Sequence, residues 1–324
     1  MSLLVIPPPD TGLQLAKLDE TARNYAKASK ADATKRAYAS QMAAFAKWCA
    51  VRGVPCLPAD PLQVAGYLAE RASGGTSVAT LAQGLTALSR AHVSNGHPSP
   101  RLDPVLREVW AGICRTEGER PKREARALPV DDLRRMSRTA KSVGKLAGAR
   151  DRALLLLGFA GGFRRSELVG LDVADLRDDS DGLVVTLRRT KTDQVGKGRE
   201  VGIPYGSDPV TCPVRAVREW LASAGVISGP VFRPVRKGGQ VATGRLTDRS
   251  VSRVIKRAAK RARVPVTGLS GHSLRAGLVT AASKAGKSTR AIQDHTGHKS
   301  AAMVARYIRS ATIFDDCAAA GIGL

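Results

Sequence analysis

Between Gly268 and Arg309 the sequence gathers His272, Arg275, His298 and Tyr307, and one chemical task accounts for all four. An arginine offers a planar set of donors that clamps phosphate oxygens with two bonds and keeps its charge. A histidine can donate to phosphate or move a proton near neutral pH. A phenol hydroxyl becomes a competent nucleophile once neighbours stabilise the charge it generates. Helix-compatible segments, Leu278 to Ala285 and Ser300 to Ile308, separate the four, so they can converge from successive helix ends. The set suits strand transfer on DNA with Tyr307 as nucleophile.

Composition agrees with a polyanionic partner. The chain has 324 residues, enough for two cores, and a formal net charge of +24 from 52 Lys and Arg against 28 Asp and Glu. Each phosphate that such an excess neutralises releases counterions and adds salt-sensitive affinity; the competing reading is a basic surface that only confers solubility. Aromatic content of 4% argues against recognition of single strands by base stacking. No apolar run approaches the ~20 residues that cross a bilayer, and the start MSLLVIPPPD lacks the basic and apolar regions of a secretion signal. The five scattered cysteines form no CxxC and read as free thiols of a reducing cytoplasm.

The elements that must position these residues fall into two domains, mainly α. Residues 1–19, with Pro7-Pro8-Pro9, read as an arm. Over 20–115, four amphipathic helices form an all-α bundle. Tyr38, Met42, Phe45 and Trp48 mark one buried face, Asp60-Pro61 opens the next helix, and Leu81, Leu85 and Leu88 line a third. In the fourth, Leu102, Val105, Leu106, Val109, Trp110 and Ile113 point inward. The polar faces of this bundle offer Thr34, Lys35, Arg36, Thr80, Gln83 and Arg90 to DNA. Residues 116–127, TEGERPKREARA, have the composition of an interdomain linker.

Residues 128–324 read as an α+β domain, mostly helical with a small antiparallel sheet. Helices are expected around Val130–Ala140, Arg150–Gly158 and Pro213–Ala224, and a hairpin pairs Gly182–Thr190 with Arg199–Pro204 across TDQVGKG. The stretch 247–263 is a polarised helix, apolar at Val251, Ile255, Ala258 and Ala262. Arg249, Arg253, Lys256 and Arg257 stand on its basic face, a stripe denser than solvation needs and suited to DNA.

The chain shows no HExxH, no Walker A and no evident carboxylate cluster for Mg²⁺, so no metal or other cofactor is expected. A zinc site from His295, His298 and Cys317 would lack a fourth ligand. Basic residues then have to supply the charge stabilisation, where one preorganised donor is typically worth about 10²–10³ in rate.

In order, GFRRSEL, the lysine of RRTKT, SGHSLR, HTGHKS and ARYIR resemble the tyrosine site-specific recombinases, the phage integrase family, and its Cre-like members most. Arg275 follows His272 by 3 residues, His298 follows by 23 and Tyr307 by a further 9, and TKRAYASQMAAFAKWC extends the similarity to the N-terminal helices. The resemblance covers nearly the whole chain. It implies that Tyr307 attacks the scissile phosphate and becomes joined to the 3′ phosphate, freeing a 5′ hydroxyl. Arg164, Arg275 and His298 would hold the non-bridging oxygens, with His272 as proton acceptor or phosphate contact and Glu167 orienting the site. Lys191 would protonate the leaving oxygen and is preferred to Lys197, which lies in the GKG setting of other members. It further implies a specific duplex site, a homotetramer passing through a Holliday junction without ATP, an accessory DNA-binding protein, and a tail after Tyr307 that docks on a neighbouring subunit. A type IB topoisomerase-like relaxing enzyme and a non-catalytic DNA-binding regulator are the alternatives. The expected location is the cytoplasm, at the nucleoid.

Overall fold

The computed structural model describes residues 19–118, 125–142, 145–188 and 198–311. The chain divides into two compact units, Met1–Lys122 and Arg123–Leu324.

The first unit is helical throughout its described part: α1 (Glu20–Ala28), α2 (Asp32–Arg52), α3 (Pro61–Ser73), α4 (Val78–Ser94) and α5 (Pro104–Glu117). Boundary chemistry sets these ends. Asp60, Ser77 and Asp103 accept from the backbone N–H of Leu62, Thr80 and Leu106, and Pro61 and Pro104 occupy the first helical turn, where a missing N–H costs nothing. Phe45, Val64, Tyr67, Leu68, Leu81, Leu85, Leu88, Leu106 and Ile113 fill the core. Two expectations fail at the fourth predicted helix. Leu102 lies in a 3₁₀ turn ahead of α5 and is 72% exposed, and Val105 is 46% exposed. The helix starts at Pro104, so the buried stripe begins at Leu106. Helix α1 was not expected either: ETARNYAKA has few apolar residues, and its Tyr25 is exposed.

His92 carried no signal in sequence, yet it is buried and fully bonded. Its Nδ1 donates to Leu88 O and its Nε2 accepts from Ala59 N–H, both at 2.8 Å, which fixes the neutral tautomer and ties the loop before α3 to the end of α4. His92→Ala should destabilise this unit by about 2–3 kcal/mol, through an orphaned buried N–H and a cavity. Denaturant unfolding measures this, and a change under ~0.5 kcal/mol would contradict it.

The second unit is built around α7 (Lys145–Ala160), whose Ala153–Leu157 run is buried all round. Packed on it are α6 (Val130–Ser142), α8 (Arg165–Gly170), α9 (Pro213–Ala224), α10 (Asp248–Arg261) and α11 (Ser273–Lys284). Helices α12 (Thr289–Thr296) and α13 (Ala301–Ala311) pack against α11. Strands β1 (Leu176–Asp179), β2 (Gly182–Leu187) and β3 (Arg199–Pro204) form an antiparallel sheet in that order. Leu183 faces Ile203, and Val185 faces Val201, which buries one face of the expected hairpin. Strand β1, LRDD, was not expected and has no alternation that sequence reading could detect.

Within this core sits a buried ion cluster. Asp151 accepts from Arg150 Nε and Nη2 at 3.0 and 2.6 Å and from Arg257 Nη2 at 2.7 Å, and Arg150 and Asp151 are almost entirely buried. Arg257, assigned from sequence to a DNA-facing stripe, pairs with this buried carboxylate while its own side chain stays 44% exposed.

Candidate functional site

Arg164 caps the start of α8, after the sharp turn at Gly161–Gly162 that ends α7. Glu167, three residues on and buried, accepts from Arg164 backbone N at 2.9 Å and from its Nη1 at 2.5 Å. This pair aims the guanidinium. Its Nη2 reaches Gly297 O at 3.4 Å.

Arg275 stands in the first turn of α11 and is 1% exposed. Nη1 donates to the carbonyls of Gly162 and Thr296, each at 2.7 Å, while Nη2 is buried without a protein acceptor. Desolvation first, then the charge of Arg164, lowers this guanidinium to about 10, so it stays cationic at neutral pH. An unsatisfied buried donor is costly to the fold. Its retention points to an anionic ligand.

His272 is the residue before α11, and its Nε2 lies 2.7 Å from Tyr307 Oη. Tyr307 projects from α13 and packs on the small cluster of Val279, Ile292 and Val304. His272 as a residue is exposed, yet desolvation and then the charges of Arg275, Arg164 and Arg165 lower its pKa. A neutral imidazole has one nitrogen able to accept a proton. His298 follows the left-handed turn at Gly297 (φ 65°) and lies across from Tyr307, ring centroids 6.3 Å apart. Burial, then Arg275 and Arg164, pushes His298 down to about 3.

Sequence reading missed three residues of this cleft. Arg199, first in β3, donates to the carbonyls of His295 (2.6 Å) and Thr296 (3.2 Å), capping α12. A Cβ on Gly297 would lie 2.8 Å from Arg199 Nε, so that close approach requires glycine. Thr296 links its hydroxyl to His298 Nδ1 at 2.6 Å. Arg165 lies over Gly271, where a Cβ would meet its Cδ at 1.9 Å. The partners are 96 or more residues away for Arg199 and carry no local pattern.

Arg164, Glu167, His272, Arg275, His298 and Tyr307 are thus brought together. Lys191, Lys197 and Cys317 lie outside the described residues. His295 turns its Nε2 to Ala160 O at 2.8 Å, a structural bond. Of the residues expected to meet DNA, Lys35, Arg36, Gln83 and Arg90 are exposed on the first unit. Thr34 is half-buried, and Thr80 Oγ1 is bonded to Ser77 Oγ at 2.9 Å in the cap of α4. Arg249, Arg253 and Lys256 are exposed on α10, and Arg257 is held by Asp151. Among the described residues no helix is long and apolar enough to cross a membrane.

Acid should weaken this unit. The unfolded chain binds protons on these histidines near pH 6.5, whereas folded His298, His272 and His295 all resist protonation. Below pH 6.5 the unfolded state therefore holds more protons, and stability falls with falling pH. We expect Tm to drop by ~5 °C between pH 7.5 and 5.5, with a shallower slope in His298→Gln. A flat or rising Tm would contradict the account.

Residues 126–312 match the Phage integrase family, and residues 22–93 match the Phage integrase N-terminal SAM-like domain. An "Integrase/recombinase xerD homolog" from Selenomonas ruminantium is 34% identical over 303 residues, covering 93% of this chain and 88% of that protein. Among solved structures, a lambda integrase dimer bound to a COC′ core site aligns with TM-score 0.60 at 18% identity, over 90% of this chain and 76% of that one. A lambda integrase tetramer bound to a Holliday junction aligns with TM-score 0.56 at 19% identity, over 90% of this chain and 76% of that one. These likenesses are to Xer-type and lambda-integrase proteins; the narrower likeness to Cre-like members rests on the sequence motifs alone. With a family match across the whole cleft and a relative similar from end to end, the chain belongs to the Phage integrase family of tyrosine recombinases.

Proposed function

We propose that this recombinase cleaves and rejoins duplex DNA at a specific site through a covalent 3′-phosphotyrosyl intermediate on Tyr307. The observation that carries the reading is the 2.7 Å contact of Tyr307 Oη with His272 Nε2 beside the buried, half-bonded Arg275. Tyr307 Oη gives its proton to neutral His272 and attacks phosphorus. The 5′ oxygen leaves with a proton from Lys191, and the phosphate stays on the tyrosine as a diester. Arg164, Arg275 and His298 hold the non-bridging oxygens, where charge grows in the transition state. Glu167 orients Arg164. The new ester conserves the bond energy, so a second 5′ hydroxyl can reverse the step without ATP.

In this reading residues 1–19 serve as an arm, 20–115 as a DNA-binding bundle, 116–127 as a linker and 128–324 as the catalytic domain, with a tail for docking on a neighbouring subunit. Lys35, Arg36, Gln83, Arg90, Arg249, Arg253 and Lys256 are exposed and basic or amide-bearing, which suits contact with phosphates and base edges. Four subunits exchanging strands through a Holliday junction fit the assembly seen for lambda integrase.

The test is incubation with a pool of nicked duplexes in which the freed fragment diffuses away. Accumulation of a covalent adduct enriched for one sequence supports site-specific recombination. Relaxation of any supercoiled plasmid with no sequence enrichment would favour a topoisomerase, and binding without adduct would favour a regulator.

A further inference from the structure

We propose that Thr296 is a positioning residue: its hydroxyl fixes the His298 proton on Nδ1, so His298 engages phosphate only on taking a second proton at Nε2. The inference rests on the reading of His298 as a phosphate contact and adds how that contact is controlled.

Thr296 is the last residue of α12 and fully buried. Its Oγ1 lies 2.6 Å from Ile292 O and 2.6 Å from His298 Nδ1. A carbonyl oxygen only accepts, so the single hydroxyl proton goes to Ile292 O. The 2.6 Å contact to the ring is then a bond only if Nδ1 donates. A neutral ring so arranged carries its lone pair on Nε2, which repels a phosphate oxygen.

The same residue ties the ring to the cations around it. Thr296 O accepts from Arg275 Nη1 at 2.7 Å and Arg199 Nη2 at 3.2 Å. Among the described residues, the charged and titratable groups about His298 are Arg164, Arg199, His272, Arg275 and Tyr307, with Glu167 paired to Arg164. Net positive charge and burial keep the ring neutral before DNA arrives. A phosphodiester monoanion among these cations offsets them and admits the second proton. The imidazolium then has both N–H groups bonded, Nδ1 to Thr296 and Nε2 to phosphate. Clamping of the phosphate is thereby linked to proton uptake, and the adduct rate should fall as pH rises.

The test combines ¹⁵N-histidine NMR of the full chain with adduct rates on the nicked-duplex pool. The His298 resonances are assigned by their loss in His298→Gln. At pH 7.5 the free protein should show His298 protonated at Nδ1. Thr296→Val removes the hydroxyl at nearly constant volume. It should move the proton to Nε2, slow the adduct about 10-fold and flatten its pH profile, and Thr296→Ser should restore all three. A bare Nδ1 in the wild type, or an unchanged tautomer and pH profile in Thr296→Val, overturns the inference. If His298→Gln leaves the adduct rate intact, the phosphate role itself fails. If His298→Gln slows it while Thr296→Val leaves the tautomer unchanged, only the Thr296 inference fails. Should Thr296→Val not fold, Thr296→Ser and the wild-type tautomer still decide.

Discussion

Arg275→Ala should lower the rate of covalent adduct formation by about 10³-fold or more, and Arg275→Lys should recover little of it. One guanidinium performs two tasks. Nη1 bridges Gly162 O and Thr296 O, which joins the turn after α7 to the end of α12. Nη2 is buried without a protein acceptor, and the proposed mechanism places a non-bridging phosphate oxygen there. A lysine ammonium has the charge but lacks the fixed fork that spans two carbonyls and a phosphate. Loss of the bridge also orphans the Gly162 carbonyl and leaves Thr296 O to Arg199 alone, so the rate has to be compared on protein shown to be folded by its thermal transition. An adduct rate within ~10-fold of wild type in the alanine variant would mean that Arg275 is structural only.

The largest effect on stability is expected at Asp151. Removing this carboxylate leaves Arg150 buried without its counter-charge and releases Arg257. Breaking one side of a buried pair typically costs about 3–5 kcal/mol. Asp151→Ala should therefore destabilise the second unit by that order in denaturant titration. Adding Arg150→Met should recover part of the loss, because it removes the stranded charge. A loss below ~1 kcal/mol, or a double variant weaker than Asp151→Ala, would show that the cluster is not what holds α7 to α10.

These two sites mark where sequence was and was not sufficient. The order of GFRRSEL, SGHSLR, HTGHKS and ARYIR named residues that the fold brings together, because each motif is local and its residues share one turn or helix end. The leucine run of α7 and the β2–β3 pairing were legible through burial and alternation. The pairing of Arg257 with Asp151 was not, since at a spacing of four Arg257 looks like any other member of a basic stripe. Its partner is 106 residues away. Leu102 and Val105 look like core in an apolar count, and only the helix start at Pro104 turns them outward. Arg199 and Thr296 act through backbone carbonyls and a ring nitrogen, contacts that leave no periodic trace.

The central claim is that Tyr307 forms the bond to DNA. Its most direct measurement is mass mapping of the modified residue after nuclease and protease digestion of the trapped adduct. The account predicts the nucleotide on Tyr307 and no adduct from Tyr307→Phe, with the other four tyrosines of the chain unmodified. An adduct that persists in Tyr307→Phe, or that maps to any other side chain, would contradict it.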